Sequence, residues 1–130
     1  MSQPRVVRAG SQPVDGSGPF VCGWSAVGAC VVVKVAGAVD DRTADSFAEE
    51  LRRVITTKGA TVVVDVRRVR EIDAAGVEVL VTAAELARQR DGWLRVAGAK
   101  PWLSTRLGHH AIPAYSELKQ ALPAYRRSAL

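Results

Sequence analysis

Apolar positions fall in blocks along this chain, and the period of the blocks changes from strand-like to helical and back. Residues 30–36 read Cys-Val-Val-Val-Lys-Val-Ala. A near-continuous run of β-branched residues predicts a strand buried on both faces. Residues 20–25 form a weaker strand pattern, and a turn at 26–28 would join the two as an antiparallel hairpin. Gly37 is expected to end the stronger strand. Asp40-Asp41-Arg42-Thr43 follows, and Asp40, Asp41 and Thr43 are each able to cap a helix. Phe47, Leu51, Val54 and Ile55 then recur at i, i+4, i+7 and i+8, the apolar face of an amphipathic helix that Gly59 closes.

The same alternation repeats downstream. Residues 61–66 predict a second strong strand, and 67–71 a loop leading to Asp73. The helix after Asp73 carries two apolar stripes. One is Val77, Leu80, Val81 and Ala84; the other is Ala75, Val79, Ala83 and Leu86. If the first packs on the sheet, the second is either covered within the domain or left for a partner. Asp91-Gly92 closes this helix, and residues 93–97 predict a third strand. Pro101 suits the first position of a short helix ending at Gly108. A short strand is expected at 111–114 and a last helix at 116–122.

Strands alternating with helices predict one α/β domain over residues 20–122. Its sheet would be mixed, with four or five strands, parallel neighbours joined by about four helices, and an antiparallel pair at the start. Residues 1–19 are rich in Gly, Pro, Ser and Gln and predict a disordered tail; residues 123–130 form a second tail. No secretory signal is visible. The longest apolar run, residues 27–39, is broken by Lys34 and falls short of the roughly 18 residues that a membrane span needs. A cytoplasmic protein is expected, without a membrane partner.

The net charge of +5 invites a nucleic-acid reading, but its distribution argues against one. Arg5 and Arg8 against Asp15 put part of the excess in the first tail, and Arg126 and Arg127 put more in the second. Nucleic-acid binders concentrate such charge on one face of the fold. The basic segment Arg67-Arg68-Val69-Arg70 reads either as solvated surface or as a means of steering an acidic partner.

No constellation for catalysis emerges. The chain lacks a nucleophile elbow, a Cys-x-x-Cys pair and a phosphate-cradling glycine loop, so no enzyme activity and no cofactor are implied. His109 and His110 are adjacent and make a poor metal site. Cys22 and Cys30 would lie on the two arms of the opening hairpin. They are either buried small apolar groups or a redox pair.

The candidate site is Ile72-Asp73-Ala74-Ala75-Gly76. Asp73 is placed as an N-cap, with Ala74, Ala75 and Gly76 as the first helical residues. A helix N-terminus exposes unpaired N–H groups and attracts anions. Gly76 in the first turn costs roughly 1 kcal/mol relative to Ala and suggests close approach by a neighbour.

Three stretches in this order resemble a family. Residues 33–40, Val-Lys-Val-Ala-Gly-Ala-Val-Asp, are similar to the first strong strand of STAS domains and its Gly-Glu-Leu-Asp ending. Val62-Val63-Val64-Asp65, then Val69 and Ile72 through Gly76, resemble the family's central strand and its Asp-Ser-Ser-Gly element. Leu94-Arg95-Val96-Ala97-Gly98, with Leu103, Leu107 and Gly108, resembles its third crossover. The resemblance covers about residues 20–122 and is to bacterial anti-sigma factor antagonists. In these proteins a partner that is both anti-sigma factor and kinase phosphorylates the first serine of that element, and the added charge breaks the complex.

By resemblance, the partner-binding residues are Asp40, Asp73, Ala74, Ala75, Gly76 and Val79. The implied partner is an anti-sigma factor or related kinase-like protein, and a homodimer is left open. The sequence departs from the family where the switch sits: Ala74 stands at the acceptor position, Ala75 follows it, and Ala38 replaces the family's glutamate. Alanine has no hydroxyl to accept a phosphoryl group. The resemblance therefore implies regulatory binding without phospho-control at that place. A small-molecule or nucleotide-sensing module and a scaffold subunit of a stress-signalling complex are the alternatives.

Overall fold

The computed structural model describes residues 6–9, by their backbone, and residues 20–123. Among these residues, three strands come first and helices then alternate with strands: β1 Val6–Ala9, β2 Phe20–Val27, β3 Cys30–Val39, α1 Ala44–Thr57, β4 Thr61–Ile72, α2 Ala74–Gln89, β5 Trp93–Ala97, α3 Pro101–Gly108, β6 Ala114–Tyr115 and α4 Leu118–Ala121. One sheet holds the strands in sequence order, β1-β2-β3-β4-β5-β6. The first three pair antiparallel and the rest parallel. The expected mixed α/β domain with four helices is what forms. One strand lies outside the expectation: Val6–Ala9, within the segment read as disordered, pairs with β2 from Gly23 to Phe20. The rest of the 1–19 segment, and residues 124–130 of the second tail, lie outside the described residues.

The main core lies between the sheet and α1, α2 and α3. Phe47, Leu51, Val54 and Ile55 of α1 are all buried, as their spacing requires, and Phe47 meets Phe20 of β2 edge-on at 6.1 Å. Val77, Leu80 and Ala84 of α2 enter the same cluster. On the opposite face Val32, Val63, Ala97 and Ala121 form a smaller core under α4. The valine runs of β3 and β4 thus have both faces covered, as continuous apolar strands demand.

The strands extend past their expected ends. β3 continues through Gly37 to Val39, and β4 continues through residues 67–71, which the sequence suggested was a loop. The two remain paired as far as Val39 opposite Ile72, with register shifts between Lys34 and Ala36 and between Gly37 and Ala38. At each shift β4 contributes one more residue than β3. Such bulges bend a strand and increase its twist, which lets a polar stretch stay in a sheet.

The hairpin excludes the redox pair. Cys30 faces Val27 at the turn, whereas Cys22 faces Val35, five residues further along β2. Five residues of strand span about 17 Å, and a disulfide tolerates Cα atoms no more than about 7 Å apart. The odd spacing also turns the two side chains to opposite faces of the sheet. Both are free and buried.

Candidate functional site

The C-terminal ends of β3 and β4 carry the candidate site. Val39 and Ile72 are register partners, and the Asp73 amide donates to the Val39 carbonyl at 3.1 Å. The chain then leaves β3 through Asp40 and leaves β4 through Asp73, so the two aspartates begin neighbouring loops.

Asp73 is the N-cap of α2, in extended conformation. Its Oδ1 accepts from the amides of Ala75 at 2.9 Å and Gly76 at 3.2 Å. These are the donors that an anion would otherwise take, and they are satisfied by a group that is itself negative. The anion-binding expectation is thereby weakened at its physical root. Ala74 is exposed, Ala75 is half-buried and Gly76 is buried. A Cβ built on Gly76 would lie 2.5 Å from Ile72 Cγ1 and 2.8 Å from Val39 Cγ1. Gly76 therefore lets α2 start directly against the two strand ends. The close approach expected of it is made by the domain's own core.

Asp40 organises the neighbouring loop. Its carboxylate accepts from the Arg42 amide at 3.0 Å and pairs with the Arg42 guanidinium at 3.5 Å. Thr43 donates its hydroxyl to the Ala38 carbonyl at 3.0 Å, and the same oxygen accepts from the Asp40 amide. Thr43 occupies the N-cap position of α1 but spends its side chain on this loop rather than on the helix amides. Partial burial opposes ionisation of Asp40; the hydrogen bonds and charge of Arg42, with Thr43, outweigh it and hold the carboxyl below the usual range.

Of the six residues expected to bind a partner, the structure brings Asp40, Asp73, Ala74, Ala75 and Gly76 to this end of the sheet. Val79 requires a correction. It is 8% exposed and belongs to the core, because α1 packs across the second stripe of α2. Ala83 is buried with it, while Ala75 and Leu86 remain half-buried. Val79, Ala83 and Leu86 line a shallow groove between the helices, whose other wall is Asp45, Ala48, Glu49 and Arg52.

Two buried carboxylates escaped the sequence reading. Asp65, 4% exposed, sits where β5 parts from β4, and Arg67 binds it through Nε at 3.0 Å and Nη2 at 2.9 Å, with its own amide at 3.1 Å. Gly98 makes room for this clamp: its φ is +81°, and a side chain there would collide with the Arg67 Cγ. Glu50, 3% exposed, pairs with Arg53 at 2.8 Å on the inner side of α1. The available signal was weak, consisting of an arginine two or three residues after each acid. His109 and His110 are exposed beyond α3, and no metal-binding group of three or more ligands occurs among the described residues. No described helix is long and apolar enough to cross a membrane.

The protein-family model described as "Mlab, STAS domain" matches residues 22–108. The chain belongs to the STAS-domain family. Solved structures agree on the fold. An anti-sigma factor antagonist from Mycobacterium paratuberculosis is similar at TM-score 0.69 and 21% identity, over 78% of this chain and 90% of that one. The anti-sigma factor antagonist SpoIIAA in its unphosphorylated form is similar at TM-score 0.63 and 12% identity, over 76% and 91%. A chain from the stressosome, a signal integration and transduction hub, is similar at TM-score 0.55 and 19% identity, over 75% and 90%. No curated protein matches the sequence. All three likenesses lie below 25% identity and are likenesses of fold.

Proposed function

We propose that this STAS domain is a regulatory protein-binding module of the anti-sigma factor antagonist type, acting without phospho-control at its usual place. It docks an anti-sigma factor or a related kinase-like protein through Asp40, Asp73, Ala74, Ala75 and Gly76. The observation that carries this reading is Ala74, exposed at the first position of α2, directly behind the Asp73 cap. A residue in this place presents its side chain to a docked partner. A methyl group there leaves the surface neutral, small and unable to accept phosphate. Docking then persists, and control passes to some other variable, such as the amount of the protein.

The self-capping by Asp73 favours this reading over a nucleotide or anion sensor, because the α2 amides already have an acceptor. The test is titration of the purified chain against candidate anti-sigma factors, with the Ala74→Ser variant alongside. Saturable binding by the native chain is expected. Phosphorylation of Ala74→Ser by the partner, followed by release, is expected as well. Absence of binding to every candidate well above micromolar concentration sinks the proposal.

A further inference from the structure

Among the described residues, the large apolar side chains left exposed are Val27 and Trp102. Trp102 is 48% exposed, in the first turn of α3. It borders a cleft created by the topology of the sheet. β5 pairs with β4 only as far as Asp65 opposite Ala97, whereas β4 runs on to Ile72 with β3 on one side. The gap on the other side is bounded by the start of α3. Ile72 and Leu103 are its buried floor, with half-buried Val69; exposed Arg70, Lys100 and Trp102 stand around it.

The charges here are unspent. Arg67 is committed to Asp65, but neither Arg70 nor Lys100 takes part in an ion pair among the described residues. An indole that shares a cleft with Arg70 and Lys100, over an apolar floor, has the composition of a protein-binding hot spot, where aromatic residues and Arg dominate. Two cations are few for a nucleic-acid track, which neutralises a run of phosphates.

We infer that this cleft is a second docking surface, taking an acidic protein segment that lays one apolar side chain beside Trp102 and sets carboxylates against Arg70 and Lys100. The inference rests on the reading that the chain acts by docking proteins, but it concerns a different patch from Asp73–Gly76. Ile72 on the cleft floor directly precedes Asp73, so one partner can span the two patches.

The probe is a short glutamate-rich synthetic peptide with a single central leucine, titrated into the full chain by tryptophan fluorescence and amide NMR shifts. Saturable binding in the roughly micromolar to sub-millimolar range is expected. Trp102→Ala, and separately Arg70→Glu with Lys100→Glu, should each weaken it by about tenfold or more, as loss of a hot-spot residue does. Trp102→Phe keeps an aromatic platform and should stay close to native affinity, which separates docking from misfolding. Replacing the peptide's leucine by serine should weaken binding to a similar extent. Arg88→Glu, at an exposed position in the last turn of α2 and away from both patches, should leave peptide binding unchanged. The anti-sigma titration is read separately on the same variants, so failure here and failure of that docking are told apart. No saturable binding at millimolar peptide overturns the inference. So does equal binding by Trp102→Ala, or tighter binding to a single-stranded oligonucleotide or to anionic vesicles than to the peptide.

Discussion

Gly76 shows how one missing methyl group positions a surface. Ile72 and Val39 are buried, β-branched and stiff at χ1, so neither can swing away from a new Cβ. Over-packing of this kind costs about 1–3 kcal/mol, against about 1 kcal/mol regained from the better helix propensity of Ala. Gly76→Ala should therefore destabilise the domain by up to about 2 kcal/mol in urea unfolding. In an Ile72→Ala background the same substitution should cost clearly less, because the Ile72 side-chain carbons that crowd the new Cβ are then gone. Cys22 offers a second test at this scale. Burial, then the Glu50 carboxylate, push its thiol up from 9.0 to about 12. The unfolded chain ionises this thiol first, so stability is fully present below pH 9 and falls as pH rises toward 12. The steepest slope is about 1.4 kcal/mol per pH unit. In Cys22→Ala, chemical unfolding measured over the same range should lose this component of the slope.

At the scale of elements, β4 marks the boundary of what the sequence reveals. Its first half, residues 61–66, was legible because a continuous valine run has few other homes. Its second half was not, because Arg67, Arg68, Arg70 and Glu71 carry no two-residue period. Pairing with β3 and two bulges keep it in the sheet, and neither leaves a local signal. The Asp73 cap and both helix faces were legible, since capping and 3.6-residue spacing are local rules. Val79 was misplaced, and of the two readings of the cysteines only the redox pair fell, because covering by α1 and the hairpin register are tertiary facts. The Asp65–Arg67 clamp is one more, and Gly98 is its counterpart. Gly98→Ala forces a residue with a Cβ into positive φ and drives the Arg67 stem off Asp65. A cost of about 2 kcal/mol or more is expected from unfolding curves. In an Arg67→Ala background the same substitution should cost clearly less, leaving a coupling energy of about 1 kcal/mol in the double-mutant cycle.

For the whole molecule, the question is whether the Ala74 surface serves folding or docking, and the two make opposite demands on charge. Ala74 is exposed at the N-terminus of α2, where a carboxylate is favoured by the helix dipole by about 0.3–1 kcal/mol. Its neighbour Asp73 repels a second carboxylate, which offsets part of that gain. Ala74→Glu should therefore leave the unfolding midpoint within about 0.5 kcal/mol of native, as expected of a surface substitution. At a docked interface the same carboxylate is stripped of water and set beside Asp73 and Asp40, where like charges in contact cost several kcal/mol. Partner affinity should fall by more than about tenfold, which corresponds to about 1.4 kcal/mol. The two measurements must be made on the same protein, because only their divergence is informative. A variant with native stability and native affinity places the partner elsewhere on the domain. A variant that loses both would mean that Ala74 holds up the fold, in which case the absent serine says nothing about control.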